Sequence, residues 1–193
     1  MVLEYRARVA VFASGTGSNF EAMMNSKDRN FDVVMLVCDK PKAHVIGKAA
    51  SFGVETVVLE PEKFASKEEY ESEILKKLKR ANVEWIALAG YMRIVGKTLL
   101  DAYEGRIVNI HPSLLPSFPG INAVGQALKA GVKVSGVTIH YVDEGIDTGP
   151  IIAQEPVTVF PNDTEESLLE RIQQVEHVLY TKVLKELTQQ EQK

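Results

Sequence analysis

The chain has 193 residues, 45% of them hydrophobic and 25% charged, with a formal net charge of −4. That suits one folded domain with a real core; the acid excess argues against a broad basic surface for nucleic acid while leaving room for a local anion pocket. No apolar run approaches the ~20 residues that cross a bilayer, nothing at the start resembles a secretory leader, and the single cysteine, Cys38, has no internal disulfide partner, so the expectation is a reducing, cytoplasmic setting with neither membrane nor nucleic acid as partner.

Strand-like and helix-like segments alternate along the chain. Arg8–Ser14 (RVAVFAS) reads as a buried strand, followed by the loop GTGSN and a helical FEAMMNS. Asp32–Cys38 is a second strand, with Cys38 a buried structural thiol. The next helix, HVIGKAASFG, ends at Gly53, the residue type favoured just past a helix end. Val54–Glu60 is a third strand. Ser66–Asn82 is an amphipathic helix, with Ser66 and Glu69 spaced as a capping box. Glu84–Gly90 and Arg106–His111 are two further buried strands, separated by a short helix around Gly96–Tyr103. After a proline-rich loop, NAVGQALKAG is helical and stops at Gly131. The runs KVSGVTIHYVD and PIIAQEPVTV suit an antiparallel extension joined by EGIDTG. Thr164–Leu187 is one long helix with Leu168, Ile172, Val175, Leu179, Val183 and Leu187 on its apolar stripe. Continuous apolar strands separated by helices imply a mostly parallel, mixed sheet covered on both faces. The expected fold class is therefore α/β, a single doubly wound, Rossmann-like domain over residues 1–193 with a long C-terminal helix.

Two places in this plan carry chemistry. ASGTGSN (Ala13–Asn19) follows the first strand and opens the first helix, where glycines admit close backbone approach and helix N-terminal N–H groups favour anions. The bland alternative is a tight turn capped by Ser18 or Asn19. The loop departs from the dinucleotide fingerprint, since Phe20 stands where a third glycine belongs, and it lacks the Gly-Lys-Ser/Thr of a nucleotide P-loop. A monophosphate fits it better. The second place is RIVNIHPSLLPSFPG (Arg106–Gly120). Asn109 and His111 are two apart, so an extended chain sets both on one face, and Pro112 biases His111 toward extended geometry. An amide that donates to an oxyanion and an imidazole that moves protons suit acyl transfer to an amine. With no nucleophile elbow around Ser113, direct transfer is the simpler mechanism. A carboxylate partner is available among Asp143, Glu144 and Asp147, and spacing alone leaves all three open. Ordinary solvated turn acids are the alternative. No Cys/His spacing has a metal-site pattern.

The motifs SGTGSN, LAGYMRI, NIHPSLLPSFPG and DTGPII, collinear from Arg8 to the final helix, together resemble the folate-dependent formyltransferase family, and SGTGSN narrows the likeness to its glycinamide ribonucleotide branch. The resemblance implies transfer of a formyl group from the cosubstrate 10-formyltetrahydrofolate to the amine of glycinamide ribonucleotide in purine synthesis. It implies a catalytic trio of Asn109, His111 and Asp147, which selects one of the three acids. It implies a substrate-phosphate loop of Thr16, Gly17, Ser18 and Asn19, and a ribose contact from Glu176, which the helix pattern alone puts at the border of the apolar stripe. Leu88, Met92, Arg93, Ile94, Val142 and Asp143 would lie along the folate. It further implies a cis bond at Leu115–Pro116 and leaves a homodimer open. The family often carries a histidine where Asn122 or Val124 stands here. Within the same chemistry, hydrolysis of 10-formyltetrahydrofolate or a binding protein without catalysis are the alternatives; formylation of initiator tRNA would call for a further domain and a basic face.

Overall fold

The computed structural model describes residues 5–190. In chain order the elements are β1 (Ala7–Phe12), α1 (Ser18–Asn25), β2 (Phe31–Cys38), α2 (His44–Ser51), β3 (Glu55–Val58), α3 (Lys67–Arg80), β4 (Trp85–Leu88), α4 (Lys97–Ala102), β5 (Ile107–His111), α5 (Ala123–Ala130), β6 (Val134–Tyr141), β7 (Ile151–Thr158) and α6 (Glu165–Gln190). The strands form one 7-stranded sheet in the order β3-β2-β1-β4-β5-β6-β7. Pairings from β3 through β5 are parallel, and β5–β6 and β6–β7 are antiparallel. This is the α/β plan the segment pattern predicts. Most predicted strands overrun the observed ones by one or two residues at an end, while Asp32–Cys38 and Arg8–Ser14 each start one residue late; at the end of β1, Ala13 and Ser14 donate to the carbonyls of Val37 and Gly90.

Alternation along the strands splits the core in two. Val9, Val11, Leu36, Cys38, Ala87, Val108 and Ile110 pack under α1, α2, α5 and α6. Ala10, Phe12, Met35, Val37, Ile86, Leu88 and Ile107 pack under α3 and α4. Local sequence sets the helix ends. Ser66 caps α3 by accepting from the Glu69 N–H at 3.1 Å, while the Glu69 carboxylate reaches back to the Ala65 N–H, one residue beyond a strict capping box. Gly131 ends α5 in the left-handed region.

The proline loop after β5 is pinned from below. Thr138 Oγ1, fully buried on β6, donates to the Ser113 carbonyl (2.7 Å) and accepts the Leu115 N–H (3.0 Å) and Gln154 Nε2 (2.9 Å). Gln154 also donates to the Leu115 carbonyl. The Leu115–Pro116 bond is cis. Ser113 Oγ is committed to the Ser117 carbonyl at 2.6 Å and is wholly buried, so it is no nucleophile.

Candidate active site

The loop between β1 and α1 meets the sheet where strand order reverses, with β2 on one side of β1 and β4 on the other. In open α/β sheets that crevice is where ligands sit. Gly17 is the N-cap of α1, with φ 72° and no side chain capping the first turn. Only glycine fits: its φ is left-handed, and a Cβ would fall inside the side chain of Val45 on α2. The alternative of a turn capped by Ser18 or Asn19 is not what forms. The first-turn N–H groups have no in-helix acceptor and open into the cleft lined by Gly15 through Asn19.

Asn19 points its side chain elsewhere. Its Nδ2 donates to Glu176 Oε2 at 2.9 Å, tying the loop to α6. Glu176 is 7% exposed, so it lies inside the buried face of α6 rather than at its border. Burial pushes its carboxyl pKa up, with the Asn19 hydrogen bond opposing that rise.

Asn109 and His111 share the face of β5 that Ile107 begins, and the antiparallel register sets Asn109 opposite His140 and His111 opposite Thr138. Asp147 comes from the β6–β7 connection with φ 54°. Its Oδ2 lies 3.4 Å from His111 Nδ1 and accepts the Gly120 N–H at 2.8 Å; its Oδ1 lies 3.4 Å from Asn109 Nδ2 and 3.6 Å from His140 Nε2. Burial raises the Asp147 carboxyl pKa, and the polar groups that face it more than offset this, holding it below the usual carboxylate range. His111 Nε2 meets the Phe118 carbonyl at 2.8 Å. Phe118 has φ 55°, an uncommon conformation for an aromatic residue that costs on the order of 1–3 kcal/mol and turns that carbonyl into the site.

Of the three acids that spacing leaves open, Asp147 is the one at His111. Asp143 instead folds its own turn, accepting from Gly145 N–H and Thr148 Oγ1. On the far wall, Leu88 is buried at the end of β4, while Met92 and Ile94 are exposed large apolar side chains. Arg93 Nε donates to Asp39 Oδ2 at 2.9 Å, so this cation is tethered to a buried acid at the end of β2. Sequence reading missed Asp39, Gly120 and the Phe118 carbonyl. His44 is exposed and apart from the site. Among the described residues no group of three or more His, Cys, Asp or Glu is arranged to hold a metal ion, and no helix is long and apolar enough to cross a membrane.

One cleft of about 740 Å³ joins all of this, lined by Thr16–Asn19, Glu176, Asn109, His111, Asp147, Leu88, Met92–Ile94, Val142 and Asp143. The family described as Formyl transferase matches residues 7–184. The chain is 54% identical over 183 residues to the phosphoribosylglycinamide formyltransferase of Bacillus subtilis (strain 168), covering 93% of this chain and 94% of that one. It is 43% identical to the trifunctional purine biosynthetic protein adenosine-3 of Drosophila melanogaster, spanning 95% of this chain but 14% of that longer protein. The crystal structure of glycinamide ribonucleotide transformylase 1 from Geobacillus kaustophilus superposes with a TM-score of 0.93 at 56% identity, covering 95% of this chain and 100% of that one. On this evidence the chain belongs to the formyl transferase family.

Proposed function

We propose that this enzyme transfers the formyl group of 10-formyltetrahydrofolate to the amine of glycinamide ribonucleotide, giving formylglycinamide ribonucleotide and tetrahydrofolate for purine biosynthesis. Family membership implies a formyl donor derived from folate. The observation that carries the finer reading is that one cleft is shared by an uncapped helix N-terminus, an amide–imidazole–carboxylate group and apolar side chains.

In this reading the substrate phosphate sits on the first turn of α1, against Thr16, Gly17, Ser18 and Asn19. Glu176, steadied by Asn19, accepts from the ribose hydroxyls. The pterin and its aromatic linker lie along Leu88, Met92, Ile94 and Val142, beside Arg93 and Asp143. The substrate amine attacks the formyl carbon, a C–N bond forms, and the carbonyl oxygen becomes an oxyanion. Asn109 Nδ2 donates to that oxyanion. His111 stabilises it and relays the proton that leaves the attacking amine, and the bond from carbon to N10 of the folate breaks as N10 takes a proton. Asp147 orients His111. Their 3.4 Å separation is long for a charge-assisted hydrogen bond, and such contacts tighten when substrate fills the site. Residues 1–193 work as one unit, with the phosphate seat in about 1–105 and the catalytic group in about 106–193; Glu176 and the 88–94 segment cross that line.

The test is a formyl-transfer assay on purified protein with 10-formyltetrahydrofolate, with and without glycinamide ribonucleotide, following both products. Formylated nucleotide formed only with both substrates is expected. Formate released at the same rate without nucleotide would make the enzyme a hydrolase and overturn the phosphate-seat reading.

A further inference from the structure

We propose that His140 is a positioning residue: by accepting a hydrogen bond from Asn109 Nδ2, it fixes which end of the Asn109 amide faces the reacting carbon. The inference rests on the formyl-transfer reading above and deepens it.

His140 is 2% exposed and stands directly opposite Asn109 in the β5–β6 ladder. Its two ring nitrogens have different partners. Nδ1 lies 2.8 Å from the Tyr141 carbonyl oxygen, which accepts only, so Nδ1 carries the proton. Nε2 lies 3.1 Å from Asn109 Nδ2. In the neutral imidazole a proton on Nδ1 leaves Nε2 with its lone pair. Asp147 Oδ1, at 3.6 Å from Nε2, is beyond hydrogen-bond reach.

The consequence falls on Asn109. Its NH₂, not its oxygen, must face His140. The second Nδ2 hydrogen is directed at Asp147 Oδ1 across 3.4 Å, a long contact that a developing oxyanion exchanges at little cost. Turned end for end, the amide would set its carbonyl oxygen against the Nε2 lone pair and the Asp147 carboxylate, acceptor facing acceptor. An amide so reversed has no donor for the oxyanion. His140 therefore holds Asn109 in its donating orientation before either substrate arrives, which is the preorganisation that makes such donors effective.

The experiment compares wild type, His140→Leu, His140→Gln, Asn109→Ala and the Asn109→Ala/His140→Leu double variant, with kcat, KM for both substrates and Tm for each. His140→Leu should lower kcat by about 10–100-fold, the range seen when a supporting partner of a functional ligand is removed, with both KM values little changed. His140→Gln, which places an acceptor oxygen at similar reach, should recover most of that loss. In the Asn109→Ala background the leucine substitution should cost nothing further, since the group it orients is gone. Equal kcat losses in the leucine and glutamine variants, or an undiminished leucine cost without Asn109, would overturn the assignment. A long-range ¹H–¹⁵N spectrum of the unliganded wild type tests it without any variant: the ring proton is expected on Nδ1, and a proton on Nε2 would overturn it. That spectrum is independent of turnover, so a wild-type protein that transfers no formyl group defeats the functional reading and leaves the His140 tautomer to be judged by itself.

Discussion

Asn109 and His111 face the carboxylate of Asp147 at 3.4 Å each, and their proposed tasks differ enough that kinetics can separate them. Asn109→Ala removes one oxyanion donor and should lower kcat by about 10²–10³. His111→Ala removes the proton relay and should cost about 10²–10⁴ in kcat. In both, KM for either substrate should stay near wild type; a near-normal kcat would remove that residue from the mechanism. Asn19 and Glu176 are joined by a single 2.9 Å hydrogen bond, so their effects should overlap. Asn19→Ala and Glu176→Ala should each raise KM for glycinamide ribonucleotide, and the double variant should raise it by less than the product. Steady-state kinetics of the four proteins checks this, and multiplicative effects would mean that the two side chains act separately.

At the level of elements, Thr138 Oγ1 joins β6 to two main-chain groups of the proline loop. Thr138→Val keeps the shape but leaves the Leu115 N–H without its acceptor, a loss of about 1–3 kcal/mol that should lower Tm and loosen the wall beneath His111. Thermal unfolding measures the first; kcat falling along with stability measures the second. An unchanged Tm would show that Gln154 suffices to pin the loop. The elements themselves were legible from local pattern: apolar runs for the strands, Ser66 and Gly131 for helix ends. The long helix was read less well. Leu168, Ile172, Glu176, Tyr180, Leu184 and Thr188 form one row at i+4 spacing, all buried. Reading the stripe through Val175, Leu179 and Val183 shifted its centre, so Glu176 fell at the edge. A lone carboxylate inside an otherwise apolar i+4 row was the signal to follow. His140 was harder still, because its partnership with Asn109 depends on a ladder register set across the whole Pro112–Lys133 connection, which no local spacing encodes.

For the whole molecule, the buried acid at the cleft ties stability to pH. The folded-state pKa of Glu176 lies above its ordinary value, burial being the main cause. Its contribution to stability is therefore full below the ordinary glutamate range and is lost as pH rises through the raised folded value. Glu176→Gln, which does not titrate, should gain Tm relative to wild type as pH climbs from acid to neutral. Parallel Tm–pH curves would show that the carboxylate titrates alike in both states. The overall sheet class followed from apolar strands alternating with helices, but its order did not: that β4 rather than β3 lies beside β1 is decided by packing between distant segments. This placement also gives the cleft an asymmetric charge. Among the described residues lining it, Arg93 is the only lysine or arginine, and it is paired with Asp39. The anion seat proposed at Gly17 would thus be made of main-chain N–H groups, which every residue but proline supplies. A side-chain scan would pass over it in silence. An anionic inhibitor anchored there would grip groups that few codon changes can delete, and the obvious escape, replacing Gly17, collides with Val45 and with the fold itself.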